Sequence, residues 1–193
     1  MPRIDDKAFY EAAIKKHGIT AMGLNWHSNL SQEIRFDVIL EMLPNDLESF
    51  TLCDAGCGFG DFYTYMEKNS QMCKKYMGID TLEFMCNVAK EKTGCEIIQA
   101  NICKELLPHA DYYICSGAMN VLNEFETHLF IRNCFSACSI GFIFNILHGD
   151  FDRTTYNYTT TEQIENIAKK LGVKCVTYSQ GYMENDITVG FFK

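Results

Sequence analysis

The sequence is short of positive charge. Its 193 residues hold 17 Lys and Arg against 25 Asp and Glu, a formal net charge of −8. Proteins that grip nucleic acid neutralise phosphates with a basic face, so this balance argues against RNA or DNA as the partner. Long apolar runs are also missing. No stretch approaches the roughly 18 uninterrupted apolar residues of a membrane span, and the start, MPRIDDKAFYEAAIKKHG, is charged where a signal peptide is apolar. The expectation is a cytoplasmic chain with reduced thiols and no membrane partner. Proline is scarce at three residues, with no repeat and no low-complexity tract, so no interdomain linker is visible and one domain over 1–193 is expected. CxxC pairs are absent. The closest regular spacings are Cys53/Cys57 and Cys134/Cys138, which fit neither a zinc knuckle nor a redox motif, so no metal is expected. The ten cysteines then read as small buried hydrophobes rather than staples.

What is present is material for a core. Hydrophobic residues make up 47% of the chain, and a domain of this size buries about 70% of the surface its unfolded chain exposes. Ala8, Phe9, Ala12 and Ala13 lie at helical spacing within a charged segment at 5–16. Asn29-Leu-Ser-Gln32 has the form of a capping box, followed by the stripe Leu30, Ile34, Val38 and Met42 and closed by Pro44. These first 45 residues read as a helical cap, and 46–193 as the core domain.

From residue 51 the texture changes to short apolar runs separated by amphipathic segments. Strands are predicted at Thr51–Ala55, Tyr76–Asp80, Glu96–Ala100, Asp111–Ser116, Ile140–Leu147, Lys174–Ser179 and Asp186–Phe192, with helices near 61–69, 81–92, 124–137 and 161–171. Thr160 and Gln163 form a further capping box, Ile164, Ile167, Ala168 and Leu171 the stripe, and Gly172 the C-terminal stop. This alternation specifies an α/β, doubly wound, mostly parallel seven-stranded sheet with helices on both faces. Only Gln180–Asn185 separates the last two runs, too few residues for a crossover helix, so they form a C-terminal antiparallel hairpin.

In such a sheet ligands bind beyond the carboxyl ends of the strands, and the first strand-to-helix turn is the expected nucleotide contact. That turn reads Leu52-Cys-Asp-Ala-Gly-Cys-Gly-Phe-Gly-Asp61, with glycines at alternate positions that let backbone approach a ligand closely. Asp80 closes the next strand, twenty residues beyond Gly60, where an acid accepting from ribose hydroxyls belongs. The dinucleotide fingerprint GxGxxG is not matched, since Asp61 stands at the third glycine. Asp54 would repel a pyrophosphate but suits a cation. The cofactor with ribose, adenine, an ammonium and a sulfonium is S-adenosyl-L-methionine.

DAGCGFGD followed by YMGID resembles motif I and the acidic second-strand loop of the class I, Rossmann-like, S-adenosylmethionine-dependent methyltransferase superfamily. The resemblance extends over about 28–193, and the segment Asn25–Phe36 is similar to the N-terminal cap of small single-domain members. It implies that Asp54, Ala55, Gly56 and Gly58 face the methionine part of the cofactor. Asp80 would hold the ribose, with Thr81 and Leu82 beside the adenine. Asn101, standing where the family usually has an acid, would accept from the adenine amino group, and the Ile102 N–H would donate to the ring. Ser116 would border the reacting methyl, and Arg35 would pair with the cofactor carboxylate.

The fourth strand ends in Cys115-Ser-Gly-Ala-Met-Asn120 and carries neither the family's Asn/Asp-Pro-Pro-Tyr/Phe sequence nor a Pro-Cys nucleophile, which disfavours amide, adenine-amino and cytosine-ring methylation. Asn120, His148 and His27 are the candidate catalytic groups, with Tyr156 and Tyr158 candidates for a substrate pocket. Each has a plainer structural reading: a core histidine, a surface tyrosine, a surface arginine for Arg35, a turn residue for Asp54, a helix cap for Asp80. The expected function is methyl transfer to a small-molecule substrate, with the pocket enclosed by the cap or completed in a homodimer. The alternatives are an RNA or protein methyltransferase of the same fold, a non-catalytic cofactor-binding protein, and an NAD-dependent oxidoreductase.

Overall fold

A computed structural model describes residues 6–24, 26, 28–151 and 156–193. The N-terminal segment forms α1 (Asp6–His17), a 3-10 turn (Ala21–Leu24) and α2 (Asn29–Met42). The core then runs β1 (Thr51–Ala55), α3 (Asp61–Lys68), β2 (Lys75–Asp80), α4 (Glu83–Thr93), β3 (Glu96–Gln99) and β4 (Ala110–Ser116). It continues with α5 (Glu124–Ala137), β5 (Cys138–His148), β6 (Tyr158–Thr159), α6 (Thr161–Leu171), β7 (Cys175–Gln180) and β8 (Asp186–Phe192). The sheet order is β3-β2-β1-β4-β5-β8-β7. Strands β1 to β5 are parallel along this path, and β8 pairs antiparallel with both β5 and β7. Seven principal strands thus match the expected architecture. An eighth, the two-residue β6, pairs parallel with the end of β5 and has too little length to leave a periodic signal.

The layers follow from the apolar stripes. Phe36, Ile39, Leu40 and Leu43 of α2 and its end pack with Phe62 and Met66 of α3 and Cys86 and Ala89 of α4 on one face. Phe130, Ile131, Cys134 and Phe135 of α5 pack with Ile164, Ile167 and Ala168 of α6 on the other. The α6 capping box is present with both reciprocal bonds and Gly172 as C-cap, as its sequence specifies. Such a cap is worth about 1 kcal/mol, and each buried Ile adds about 1.5–3 kcal/mol.

Two N-terminal expectations are corrected. The cap of α2 is Ser28, boxed with Ser31, so Asn29 is already the first helical residue. Ser fits this position because its short hydroxyl reaches the N–H three residues on. The buried face of α2 is correspondingly Gln32, Arg35, Phe36 and Ile39, and Leu30 of the expected stripe is 66% exposed. In α1, Ala8 and Ala12 are exposed while Ala13 is buried. All ten cysteines are free thiols. Cys53, Cys57, Cys86, Cys115, Cys134 and Cys138 are buried, whereas Cys175 on the outer strand is exposed. No helix among the described residues is long and apolar enough to cross a membrane.

Candidate active site

The strand order reverses between β1 and β4, which pair with each other while β2 continues on the far side of β1. Loops leaving parallel strands at this reversal diverge to opposite faces and leave a crevice. The cleft found there measures about 1130 Å³ with its open mouth. Its floor is the carboxyl ends of β1, β2 and β4, and its roof is Phe9 and Tyr10 of α1 with Leu24 and Trp26.

The turn after β1 is pinned by its backbone. The N–H groups of Gly56 and Cys57 both donate to the carbonyl of Ile79, at 2.7 and 3.0 Å, and Gly58 N–H donates to Asp80 Oδ2 at 3.0 Å. Gly56 has φ +82°, and a Cβ there would lie 2.4 Å from that of Ala118, so no side chain fits. Asp80 Oδ1 meanwhile accepts from Leu82 N–H at 3.0 Å. Asp80 is therefore not the cap of α4, a position held by Leu82 without a side-chain cap bond; it closes an Asx-type turn ahead of the helix, and the same carboxylate ties the β1 and β2 loops together. A carboxylate offers about four acceptor positions, so two backbone donors and two ribose hydroxyls can share it.

Asp54 is 3% exposed and accepts from the Tyr76 hydroxyl at 2.7 Å. Burial pushes its carboxyl up to about 7, opposed by the Tyr76 hydrogen bond and reinforced by the nearby carboxylates of Asp80 and Asp61. Asp61 opens α3, accepts from Gln32 Nε2 at 3.0 Å and pairs with Lys92. Three carboxylates therefore line the cleft, without Lys, Arg or His among its described lining residues. A site of this sign attracts a cationic ligand and repels a polyanion.

Of the residues singled out in the sequence, Asp54, Gly56, Gly58, Asp80, Thr81, Asn101, Ile102, Ser116 and Asn120 line this cleft together, as does Tyr156. Ala55 is fully buried in the core below, and Leu82 is outside the lining as the cap position of α4. Asn101 already turns its amide oxygen onto Cys103 N–H at 3.0 Å, an Asx turn that shapes the loop after β3. Asn120 uses its side-chain oxygen on Leu147 N–H at 3.1 Å, which ties the β4 and β5 loops.

Arg35 is elsewhere. The residue is 6% exposed, and its guanidinium is ion-paired with Asp186, bonded to the Ser31 carbonyl and stacked 4.7 Å from the Trp26 ring centre. It is absent from the cleft lining, because α2 packs across β5 and β8 and carries this side of the helix to the start of β8. His148 is also outside, with Nε2 3.0 Å from Thr161 Oγ1 at the start of α6. Tyr158 sits in β6 against Phe151 rather than in the cleft. His27 lies outside the described residues. The sequence reading missed the aromatic roof at Phe9, Tyr10 and Trp26, and it missed a buried polar chain through Asn145, Tyr182, Asp186 and Thr188. Asn145 was visible as the one amide inside the apolar run 140–147, and it stands opposite Thr188 in the β5–β8 register.

A mixed sheet with this strand order, a glycine turn at its switch point and an acid closing β2 define a Rossmann-like fold with its ligand cleft at the switch point. Residues 53–141 match the family model described as "Methyltransferase domain". No curated protein matches the chain. Among solved structures, magnesium protoporphyrin IX methyltransferase from Synechocystis with bound S-adenosylhomocysteine superposes with a TM-score of 0.71 at 14% identity, over 98% of this chain and 100% of that one. An O-methyltransferase family protein from Burkholderia thailandensis gives 0.68 at 15%, over 97% and 59%. Human N-acetylserotonin methyltransferase with S-adenosylmethionine gives 0.65 at 18%, over 84% and 52%. The chain thus matches a methyltransferase domain over 53–141 and shares its fold with S-adenosylmethionine-dependent methyltransferases.

Proposed function

We propose that this chain is an S-adenosylmethionine-dependent methyltransferase acting on a small-molecule acceptor held between the β4 loop and the N-terminal roof. The observation that carries the reading is the lining of the cleft: three carboxylates, aromatic cover from Phe9, Tyr10, Trp26 and Tyr156, and no basic side chain among the described residues. Carboxylates suit the cofactor's cationic centres, and an aromatic roof suits a compact, partly apolar acceptor. A phosphate-rich acceptor would meet repulsion. The porphyrin and acetylserotonin enzymes named above support the same class.

In this reading Asp80 holds the ribose hydroxyls and Asp54 and Ser116 face the methionine part. Thr81, Asn101 and Ile102 border the adenine, with the Asn101 oxygen accepting from the adenine amino group as well as from Cys103. S-Adenosylmethionine, when bound, supplies an electrophilic methyl on a sulfonium. No histidine lines the cleft among the described residues, so this chain acts mainly by alignment and by excluding water beneath its roof. Asn120, Tyr10 and Tyr156 are the polar groups on the acceptor side that would orient the nucleophile.

The test is a transfer screen with methyl-labelled cofactor against fractionated cell extract. Label in a low-molecular-weight product supports the reading. Label confined to protein or RNA would move the assignment to a macromolecular acceptor. Calorimetry should find S-adenosylhomocysteine binding and no NAD binding; the reverse would point to an oxidoreductase.

A further inference from the structure

One polar chain crosses the buried interface between β4, β5 and β8. Ser116 Oγ donates to Asn145 Oδ1 at 2.9 Å, and Asn145 Nδ2 donates to Thr188 Oγ1 at 2.8 Å. Thr188 Oγ1 lies 2.7 Å from the Tyr182 hydroxyl, which donates to Asp186 Oδ1 at 2.7 Å. Arg35 pairs with the other oxygen of Asp186. Asn145 and Thr188 are fully buried, and Asp186 is 4% exposed.

The direction of every bond is set from the charged end. Beside Arg35, Asp186 is an acceptor, so Tyr182 gives it its only proton. The Tyr182 oxygen then accepts from Thr188, which has one proton to give. Thr188 must in turn accept from Asn145, which turns the amide nitrogen toward β8 and the amide oxygen toward β4. Ser116 can only donate to that oxygen. Its proton is committed inward, and its lone pairs face the cleft.

We infer that the chain from Arg35 to Asn145 is a positioning device that fixes Ser116 as an obligate hydrogen-bond acceptor for the cofactor's ammonium group. The placement agrees. Asp54 pairs with Ile114 in the β1–β4 register, two residues before Ser116 on the neighbouring strand, and Asp54, Gly56 and Ser116 all line the cleft. A serine free to rotate would have to be ordered by the ligand itself before it could accept. Here the alternative rotamer would break a buried bond. Tyr182, Thr188 and Asn145 would then act on cofactor binding without touching it. The inference rests on the methyltransferase reading of the cleft, and its test separates the two.

Affinities are measured by calorimetry for S-adenosylhomocysteine, which keeps the ammonium, and for 5′-methylthioadenosine, which keeps adenine and ribose but lacks the amino-acid part. Ser116→Ala should weaken S-adenosylhomocysteine about ten- to hundredfold and leave methylthioadenosine unchanged. Tyr182→Phe should weaken S-adenosylhomocysteine about three- to tenfold with Ser116 in place and have no further effect in the Ser116→Ala background, since distant sites otherwise act additively. Thr188→Val, nearly isosteric and one link closer, provides the same comparison should Tyr182→Phe not fold. Additive losses, or equal losses for both ligands, would overturn the inference while leaving the cofactor assignment intact. Wild-type protein that binds neither ligand would overturn the cofactor assignment itself.

Discussion

The Tyr76 hydroxyl donates to Asp54 Oδ2 at 2.7 Å, and both groups are buried, one near the start of β2 and the other near the end of β1. This bond holds down a carboxyl that burial pushes up to about 7 from an ordinary 3.8. Between those values the folded chain keeps a proton that the unfolded chain releases. Asp54 therefore costs the ligand-free protein stability as pH rises from about 4 to 7, with the full cost in place above 7. Denaturant titrations of wild type and Asp54→Asn at pH 5 and 8 check this. The wild type should lose about 2–4 kcal/mol more than the variant over that interval. Equal slopes would mean that Asp54 ionises normally.

The same group should govern ligand affinity. Ionised Asp54 favours a nearby ammonium, so S-adenosylhomocysteine affinity should rise as pH passes through about 7. Tyr76→Phe removes the hydrogen bond that lowers the Asp54 pKa, so the midpoint of that rise should move to higher pH. An unmoved midpoint would detach Asp54 from the ligand's cation.

Gly56 allows a sharp comparison. It has φ +82° and no room for a Cβ, whereas Gly94, at the end of α4, has φ +66° and nothing within 4 Å of a Cβ. Gly94→Ala should cost about 1 kcal/mol from backbone conformation alone. Gly56→Ala adds the clash with Ala118 and should cost about 2–4 kcal/mol by thermal denaturation, with weaker S-adenosylhomocysteine binding. Equal costs would show that the loop relaxes freely around Ala118.

Asp80 ties two loops together, and under the proposed function it also holds the ribose, so its removal should be felt twice. Asp80→Ala leaves the buried Gly58 N–H and the Leu82 N–H without their carboxylate, at about 1–3 kcal/mol of stability. It should also weaken cofactor binding by about 1.5–3 kcal/mol through the lost ribose contacts. A variant that is destabilised yet binds S-adenosylhomocysteine like wild type would reduce Asp80 to a structural tie.

The legible part of this molecule was the part written in short-range patterns. Period-two and period-3.6 runs placed all seven principal strands and α3 to α6, and the six-residue link before Asp186 identified the hairpin. The glycine turn and Asp80 located the cleft because those features act through backbone conformation close in sequence. Arg35 could not be placed this way. It lies 151 positions before Asp186, and their meeting depends on how α2 crosses the sheet, which no local spacing encodes. Asn101 and Asn120 both line the cleft, but their side-chain oxygens are bound to loop N–H groups that only the folded turns bring near. The cap of α2 lies one residue earlier than expected because Ser28 and Asn29 are both good cap residues, and Ser28 is the one that closes the box with Ser31.

That buried pair gives the last prediction. Arg35 and Asp186 have side chains 8% and 1% exposed, and desolvation raises the Asp186 pKa while Arg35 pulls it down. Removing one partner of such a pair leaves an uncompensated buried charge, whereas removing both leaves packing and the Tyr182 hydroxyl to repair, a smaller cost. Arg35→Met should therefore cost about 3–5 kcal/mol, including the lost stacking on Trp26. Arg35→Met combined with Asp186→Leu should recover at least about 2 kcal/mol of that, because the stranded carboxylate is gone. The relation also has a pH signature. In Arg35→Met alone, Asp186 loses the charge that lowered its pKa and stays protonated to higher pH, so the variant should be least impaired in acid and worsen as pH rises. Denaturant midpoints of the two variants at pH 5 and 8 measure both effects. A double variant as unstable as the single one would mean that Arg35 contributes through its stem and its contact with Trp26, rather than through its charge.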